Sequence, residues 1–141
     1  LADAPMAMTA HISYDAFDAN VPATLSKIMI QDVIRARIGF DGLLMTDDLG
    51  MQALGGSLGE RGEAAIAAGC DVLLHCSGFL SDPLAIHSEM AEVAAVSPEL
   101  TGRPLERALR AEALSTHQEE FDLVEGWQTF QSYFPHLAGA A

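Results

Sequence analysis

Two adjacent carboxylates, Asp47 and Asp48, are the residues whose position in this chain most clearly suggests chemistry. They end an apolar run at 42–46, and a glycine, Gly50, follows shortly after them. A run of this kind, with glycine at its start and acid at its end, is typical of a strand buried on both faces. In α/β folds, ligands and catalytic groups collect at the C-terminal ends of such strands. Side chains alternate along a strand, so Asp47 and Asp48 are expected to point to opposite faces and to have different roles.

The segments around this pair alternate between strand and helix patterns. Helix starts are indicated by Thr24 or Ser26 and by Ser81-Asp82-Pro83, and a helix end by Gly69. This alternation predicts βαβ units and a parallel sheet. Three strands form either a small open sheet or part of a barrel, because a closed barrel of this type has eight strands. The predicted elements are strand 5–12, helix 24–38, strand 42–47, a glycine-rich connection 49–59, helix 60–68, strand 70–76, helix 83–96, a helical stretch from 97 interrupted at Gly102 and Pro104 before it runs to about Thr116, and a last helix carrying Trp127, Phe130, Tyr133 and Phe134 that packs on the body.

The composition excludes two classes of partner. The chain has 20 acidic and 7 basic residues and a net charge of −13, and no basic stripe is visible, so a nucleic-acid partner is not expected. No apolar run approaches the length that crosses a membrane, so no membrane partner is expected either. Half of the residues are apolar, which predicts a folded core.

The two cysteines, Cys70 and Cys76, are predicted to lie on one strand. Six residues of strand separate them by about 20 Å, too far for a disulfide bond. We therefore expect two free thiols, which is typical of a reducing compartment.

The sequence around Asp47 resembles the active-site signature of glycoside hydrolase family three. The form Asp47-Asp48-Leu49-Gly50-Met51 is similar to that of its bacterial β-N-acetylglucosaminidase branch, the NagZ type. The resemblance covers residues 5–77 and is loose beyond Asp82. The matching segments are Val33-Ile34-Arg35-Ala36-Arg37, then four residues and Gly42-Leu43-Leu44-Met45-Thr46-Asp47, flanked by Thr9-Ala10-His11-Ile12, Pro22-Ala23-Thr24-Leu25-Ser26, Gly39-Phe40-Asp41-Gly42 and Ala68-Gly69-Cys70-Asp71-Val72-Leu73-Leu74.

The resemblance implies an α/β fold, the C-terminal part of a TIM (β/α)8 barrel. About three βα units, strands six to eight, would be followed by a helical tail from about residue 97, so that 1–141 is a partial catalytic domain. The implied activity is retaining hydrolysis of terminal β-linked N-acetylglucosamine, without a cofactor or a metal. The implied substrate is a muropeptide derived from peptidoglycan, recycled in the cytoplasm.

The resemblance places the catalytic nucleophile on Asp47. A retaining glycosidase needs a carboxylate under the anomeric carbon, where it forms a covalent glycosyl intermediate that water later releases. Asp47 at a rigid strand end, on one face with Leu43 and Met45, suits that role. Its pKa must stay low, so we expect hydrogen-bond donors around it, from Thr46 or from backbone amides.

Four further residues are candidates for binding substrate or for supporting the nucleophile. Asp48 is either an orienting residue or a solvated acid at the rim. His11 ends the first strand and either lines the sugar pocket or is a hydrogen-bonded structural histidine, and His75 on the third strand has the same two interpretations. Met51 either packs against the acetyl group of the sugar or belongs to the core.

The chain departs from the family pattern in one respect. In the NagZ type, the acid/base is a histidine backed by an aspartate on a loop after the fifth strand, and a Lys-His segment there grips the sugar. Neither segment has a match here, since both would precede Leu1. We therefore expect a missing N-terminal part of the barrel, and an isolated 141-residue chain that is inactive.

Other interpretations stay open at this point. Asp47 could cap the next loop, or it could bind Mg²⁺ together with Asp48, since carboxylates are ligands for that ion. A family-three β-glucosidase is an alternative, although such enzymes usually resemble Ser-Asp-Trp where this chain has Thr46-Asp47-Asp48. A non-catalytic barrel remnant that acts as a binding or assembly module is the alternative outside the enzymes, although its open sheet edges would favour aggregation.

Overall fold

A computed structural model describes residues 4–78, 80–115 and 122–135 of the chain. At its centre is a three-stranded sheet with the strand order β1-β2-β3. The strands are β1 (Met6–Met8), β2 (Leu43–Asp48) and β3 (Val72–Leu74), and both neighbouring pairs are parallel. The predicted parallel sheet is thus confirmed, with β1 and β3 shorter than the sequence indicated.

The connections between the strands are helical, as predicted. The first contains a π-helix, Ile28–Arg37, preceded by a 3-10 turn at Ala23–Leu25, and the second contains α1 (Leu58–Ala68). Three further helices follow β3: α2 (Pro83–Val96), α3 (Gly102–Ser115) and α4 (Leu123–Tyr133). Sequence signals set the helix ends: Ser57 and Glu60 form a capping box at the start of α1, and Gly69 ends this helix in the left-handed conformation at φ 118°. Asp82 caps α2 ahead of Pro83. None of the helices in the described ranges is both long and apolar enough to cross a membrane.

The helices cover one face of the sheet. Leu44 of β2 is 1% exposed and packs with Ile30, Ala65 and Ala68 from the surrounding helices. The register pairs Met6 with Leu43 and Met8 with Met45, so these side chains point away from Leu44. Met6 and Met8 are 42% and 50% exposed. The sheet therefore has one helix-covered face and one apolar face that is partly open.

Ion pairs fasten α3 to the start of β2. Arg107 of α3 donates hydrogen bonds to Asp41 and, at 2.9 Å, to Oδ1 of Asp71. The other oxygen of Asp71 accepts hydrogen bonds from Arg35, at 2.7 Å, and from the backbone N–H of Leu44, at 2.9 Å. One buried carboxylate thereby connects two helices to the central strand.

Two predictions about the C-terminal helices are wrong. Residues 97–101 are not helical, and α3 begins at Gly102, which adopts φ 55°. Pro104 lies in the first turn of α3, where a missing N–H costs nothing, so it does not interrupt the helix. The predicted end at Thr116 lies outside the described residues.

The second wrong prediction concerns α4. This helix buries none of its residues, and Trp127 is 52% exposed, so the predicted packing on the body is not seen within the part of the chain that the structure describes. Its aromatic rings pack on one another instead, with 5.4 Å between the ring centres of Trp127 and Phe130. The spacing of three and four residues places these rings on one side of their own helix.

Candidate active site

Asp47 lies at the C-terminal end of β2, on the partly open face of the sheet. It follows Met45 on that face and is itself partly exposed. Its Oδ1 accepts a 2.8 Å hydrogen bond from the backbone N–H of Asp48. A carboxylate held by a backbone amide at a strand end, with access from outside, is suited to contact a ligand.

Thr46 does not assist Asp47 as one of our expectations had it. Its side chain is fully buried on the opposite face, and its hydroxyl oxygen accepts a 2.8 Å hydrogen bond from the N–H of Leu74. The alternation of side chains along β2 is the reason, because adjacent residues cannot share a face. Of the two expected kinds of donor to Asp47, the structure has the backbone amide.

Asp48 joins the loop after β2 to the end of β3. Its Oδ1 accepts hydrogen bonds from the N–H of Gly50, at 2.8 Å, and from the N–H of Cys76, at 2.9 Å. The same oxygen lies 3.6 Å from Nδ1 of His75. The two neighbouring acids therefore have different surroundings, as the strand alternation predicted.

The pKa of Asp48 is held below its ordinary value. Burial alone would raise it, but the amides of Cys76 and Gly50 and the rings of His75 and His11 stabilise the charged form and together outweigh burial. Asp48 is thus kept as a carboxylate by its position at the sheet edge.

His11 is bound on both sides of its ring. Its Nε2 lies 2.8 Å from the carbonyl oxygen of Asp48, which can only accept, so Nε2 carries the proton and donates. Its Nδ1 lies 2.8 Å from the hydroxyl of Thr24, which in turn lies 2.9 Å from that of Thr9. Both ring nitrogens are engaged within the chain, which favours the structural interpretation of His11 over direct contact with a ligand.

Met51 lines a cleft of about 450 Å³ at the same edge of the sheet. The polar side chains of this cleft include His75, Ser77 and Glu89, and Asp47 does not line it. Met51 is 41% exposed there, so it is not a core residue. Oδ1 of Asp48 contacts three residues that line this cleft, Gly50, Cys76 and His75.

Sequence reasoning missed the role of Glu89 and left that of His75 open. Nε2 of His75 lies 3.0 Å from Oε2 of Glu89 and 3.0 Å from the hydroxyl of Ser77, which also donates to Glu89 at 3.1 Å. Glu89 lies on α2, so nothing in the local sequence indicates that its side chain reaches the end of β3.

The arrangement does not favour the cation site considered for the two acids. Asp47 and Asp48 point to opposite faces of β2, and Oδ1 of Asp48 already accepts two amide hydrogen bonds. Within the described ranges there is no group of three or more His, Cys, Asp or Glu side chains with metal-binding geometry.

Comparison with known proteins connects this geometry to a family. Residues 2–109 match the sequence model of the Glycosyl hydrolase family 3 N terminal domain. A beta-hexosaminidase of Chromobacterium violaceum is 47% identical over 81 residues, which cover 55% of this chain and 22% of that protein. The chain matches only 20 to 23% of the length of such curated relatives.

Solved structures agree with the sequence match. The β-N-acetylhexosaminidase from Beutenbergia cavernae superimposes with a TM-score of 0.55 at 30% identity, over 79% of this chain and 33% of that one. NagZ from Neisseria gonorrhoeae gives a TM-score of 0.58 over 94% of this chain and 36% of that one, and at 23% identity this shows a shared fold alone. The neighbours in this family are of the TIM-barrel type, and the chain shares their α/β alternation. With more than half of its length matched, the chain belongs to the family of glycosyl hydrolase family 3 N-terminal domains.

Proposed function

We propose that this chain is the nucleophile-bearing part of a retaining β-N-acetylhexosaminidase, with Asp47 as the nucleophile. The observation that supports this most is the position of Asp47: the end of the central parallel strand, partly exposed, with Oδ1 held by the amide of Asp48. Within the described ranges its other oxygen, Oδ2, accepts no hydrogen bond. That oxygen is available to attack an anomeric carbon.

The chemistry proceeds in two steps. Oδ2 of Asp47 displaces the leaving group from the anomeric carbon and forms a glycosyl ester, and water then cleaves this ester with overall retention. The first step needs an acid for the leaving group, and the second needs a base for the water. His11 is engaged by two hydrogen bonds and Asp48 by two amides, so neither is placed for these transfers. We propose that the acid/base and the groups that grip the sugar belong to a further part of the barrel.

The sheet itself supports this division. Helices cover the face that carries Leu44, while Met6 and Met8 on the other face are about half exposed. Apolar side chains on the inner face of a barrel are covered by the remaining strands. We therefore propose that residues 1–141 supply strands six to eight of a (β/α)8 barrel, with a helical tail from about residue 97, and that this piece is inactive alone.

The proposed substrate carries a terminal β-linked N-acetylglucosamine. Relatives named beta-hexosaminidase and β-N-acetylhexosaminidase support that choice. We further propose that the natural substrate is a muropeptide and that the reaction belongs to cytoplasmic cell-wall recycling. The sequence resemblance supports both of these points.

The test uses the full-length gene product that contains this chain. It should hydrolyse a chromogenic N-acetyl-β-glucosaminide in preference to the matching β-glucoside, and NMR should show the β-anomer as the first product. Asp47→Ala should abolish turnover and leave the thermal unfolding temperature unchanged. Asp32→Ala, which removes an exposed acid from the π-helix, is the matched control and should retain full activity.

Two results would contradict the proposal. Near-normal activity of Asp47→Ala would remove Asp47 from the mechanism. A folded full-length product without turnover of either glycoside would favour the non-catalytic binding or assembly module.

A further inference from the structure

The ring of His75 is buried between two carboxylates. Its side chain is only 6% exposed, and its Nε2 lies 3.0 Å from Oε2 of Glu89 on α2. Its Nδ1 lies 3.6 Å from Oδ1 of Asp48 at the end of β2. Each ring nitrogen of His75 thus faces one acid. The ring therefore connects α2 to Asp48.

The Nδ1 atom of His75 is the unusual part of this arrangement. It is buried, and no described residue forms a hydrogen bond with it. At 3.6 Å the contact with Asp48 is electrostatic and too long for a hydrogen bond. A buried polar atom without a hydrogen-bond partner is costly, and the contacts of Nε2 with Glu89 and Ser77 do not offset that cost at Nδ1. The contact with the Asp48 carboxylate gives this nitrogen a role.

A continuous set of contacts leads from His75 to Asp47. The ring faces Oδ1 of Asp48, and that oxygen also holds the amides of Gly50 and Cys76. The side chain of Asp48 thereby holds the turn that begins at this residue. The backbone N–H of Asp48 then donates to Oδ1 of Asp47. A shift of Asp48 would therefore change the aim of the Asp47 carboxylate.

We propose that His75 is a positioning residue for the nucleophile, acting through its Nδ1 side on the carboxylate of Asp48. The proposal rests on the proposed function, because it assumes that Asp47 attacks the sugar. His75 itself contacts neither the substrate nor the reacting atoms. Loss of the contact between His75 and Asp48 leaves Asp47 in place but changes the orientation of its carboxylate. This lowers the rate of the chemical step and leaves substrate binding nearly unchanged.

Two isosteric substitutions separate the two sides of the ring. The amide nitrogen of His75→Asn occupies the place of Nδ1 and keeps a donor toward Asp48. The amide nitrogen of His75→Gln occupies the place of Nε2, keeps a donor toward Glu89, and leaves Asp48 without one. In the full-length product we expect kcat to fall about tenfold in His75→Gln, with KM within about twofold, and to fall less than about threefold in His75→Asn. Both variants should have similar unfolding temperatures.

A purely structural role predicts a different pattern. Equal losses of kcat in the two variants, in step with their unfolding temperatures, would overturn the proposal. If neither His75 variant folds, Asp48→Asn decides the question, because it keeps an oxygen for the two amides and removes the charge that faces Nδ1. The proposal expects a reduced kcat with normal KM in Asp48→Asn, and an unchanged kcat would overturn it.

Asp47→Ala in the same assay separates this proposal from the proposed function. If Asp47→Ala is inactive and His75→Gln is fully active, the positioning role of His75 is overturned and the nucleophile assignment of Asp47 is kept. If Asp47→Ala is active, both proposals are overturned, because Asp47 is then not the nucleophile and His75 has no nucleophile to position.

Discussion

The backbone N–H of Asp48 donates a 2.8 Å hydrogen bond to Oδ1 of Asp47, so the second of two adjacent acids serves the first through its main chain. Its side chain points to the opposite face of β2, where it binds the amides of Gly50 and Cys76. Asp47 is partly exposed, and the side chain of Asp48 joins the loop after β2 to the end of β3.

The lowered pKa of Asp48 makes part of the protein's stability depend on pH. An ordinary aspartate has a pKa of about 3.9, and in the folded state the pKa of Asp48 lies below its usual value. The charged carboxylate therefore contributes stability that is fully present above the ordinary pKa and is lost as the pH falls through the folded pKa. Asp48→Asn should lower the free energy of unfolding most near neutral pH, and the difference from the unsubstituted protein should shrink toward about pH 3.

Urea unfolding at several pH values measures this difference. Asp32→Asn, at an exposed position, is the control. A difference between Asp48→Asn and the unsubstituted protein that stays constant from about pH 6 to about pH 3 would contradict the assignment.

Two of the three arginines that join α3 to Asp41, Arg103 and Arg107, should differ in their contribution to stability. The side chain of Arg107 is 15% exposed and also binds the buried Asp71, whereas that of Arg103 is 61% exposed. Arg107→Ala removes charge-assisted hydrogen bonds from Asp71 and should cost about 2 kcal/mol. Arg103→Ala removes a solvated pair and should cost less than about 1 kcal/mol. Equal costs in chemical unfolding would show that Asp71 does not depend on α3.

The two free thiols should differ sharply in reactivity. Cys70 is 5% exposed, and burial, with the charge of Asp71 beside it, raises the pKa of its thiol to about 12. Cys76 is exposed at the end of β3. Because the thiolate is the nucleophile, an alkylating reagent should modify Cys76 in the folded protein and both residues after unfolding. Peptide mass spectrometry identifies the site, and rapid labelling of Cys70 in the folded state would contradict the packing of the core.

The local parts of the fold could be predicted from the sequence because their causes are local. Gly69 as a left-handed cap, Asp82 ahead of Pro83, and the alternation that separates Asp47 from Asp48 all depend on a few neighbouring residues. The parallel sheet followed from the order of these elements. The two cysteines are free, as expected, although β3 is too short to hold both.

The site contacts between distant residues could not be predicted in the same way. The pairing of His75 with Glu89, and that of Thr46 with the amide of Leu74, depends on how elements pack rather than on any local pattern. The exposed position of α4 also depends on packing. Aromatic residues in a sequence predict burial, but they do not show which element would cover them.

Covalent trapping would identify the residue that attacks the sugar. The full-length gene product would be treated with a fluorinated N-acetylglucosaminide that forms the glycosyl-enzyme quickly and releases it slowly. Digestion and mass spectrometry would then locate the sugar. We expect one modified residue, Asp47, and no label in Asp47→Ala. A sugar attached to Asp48 or to any other residue would contradict the assignment of Asp47 as the nucleophile.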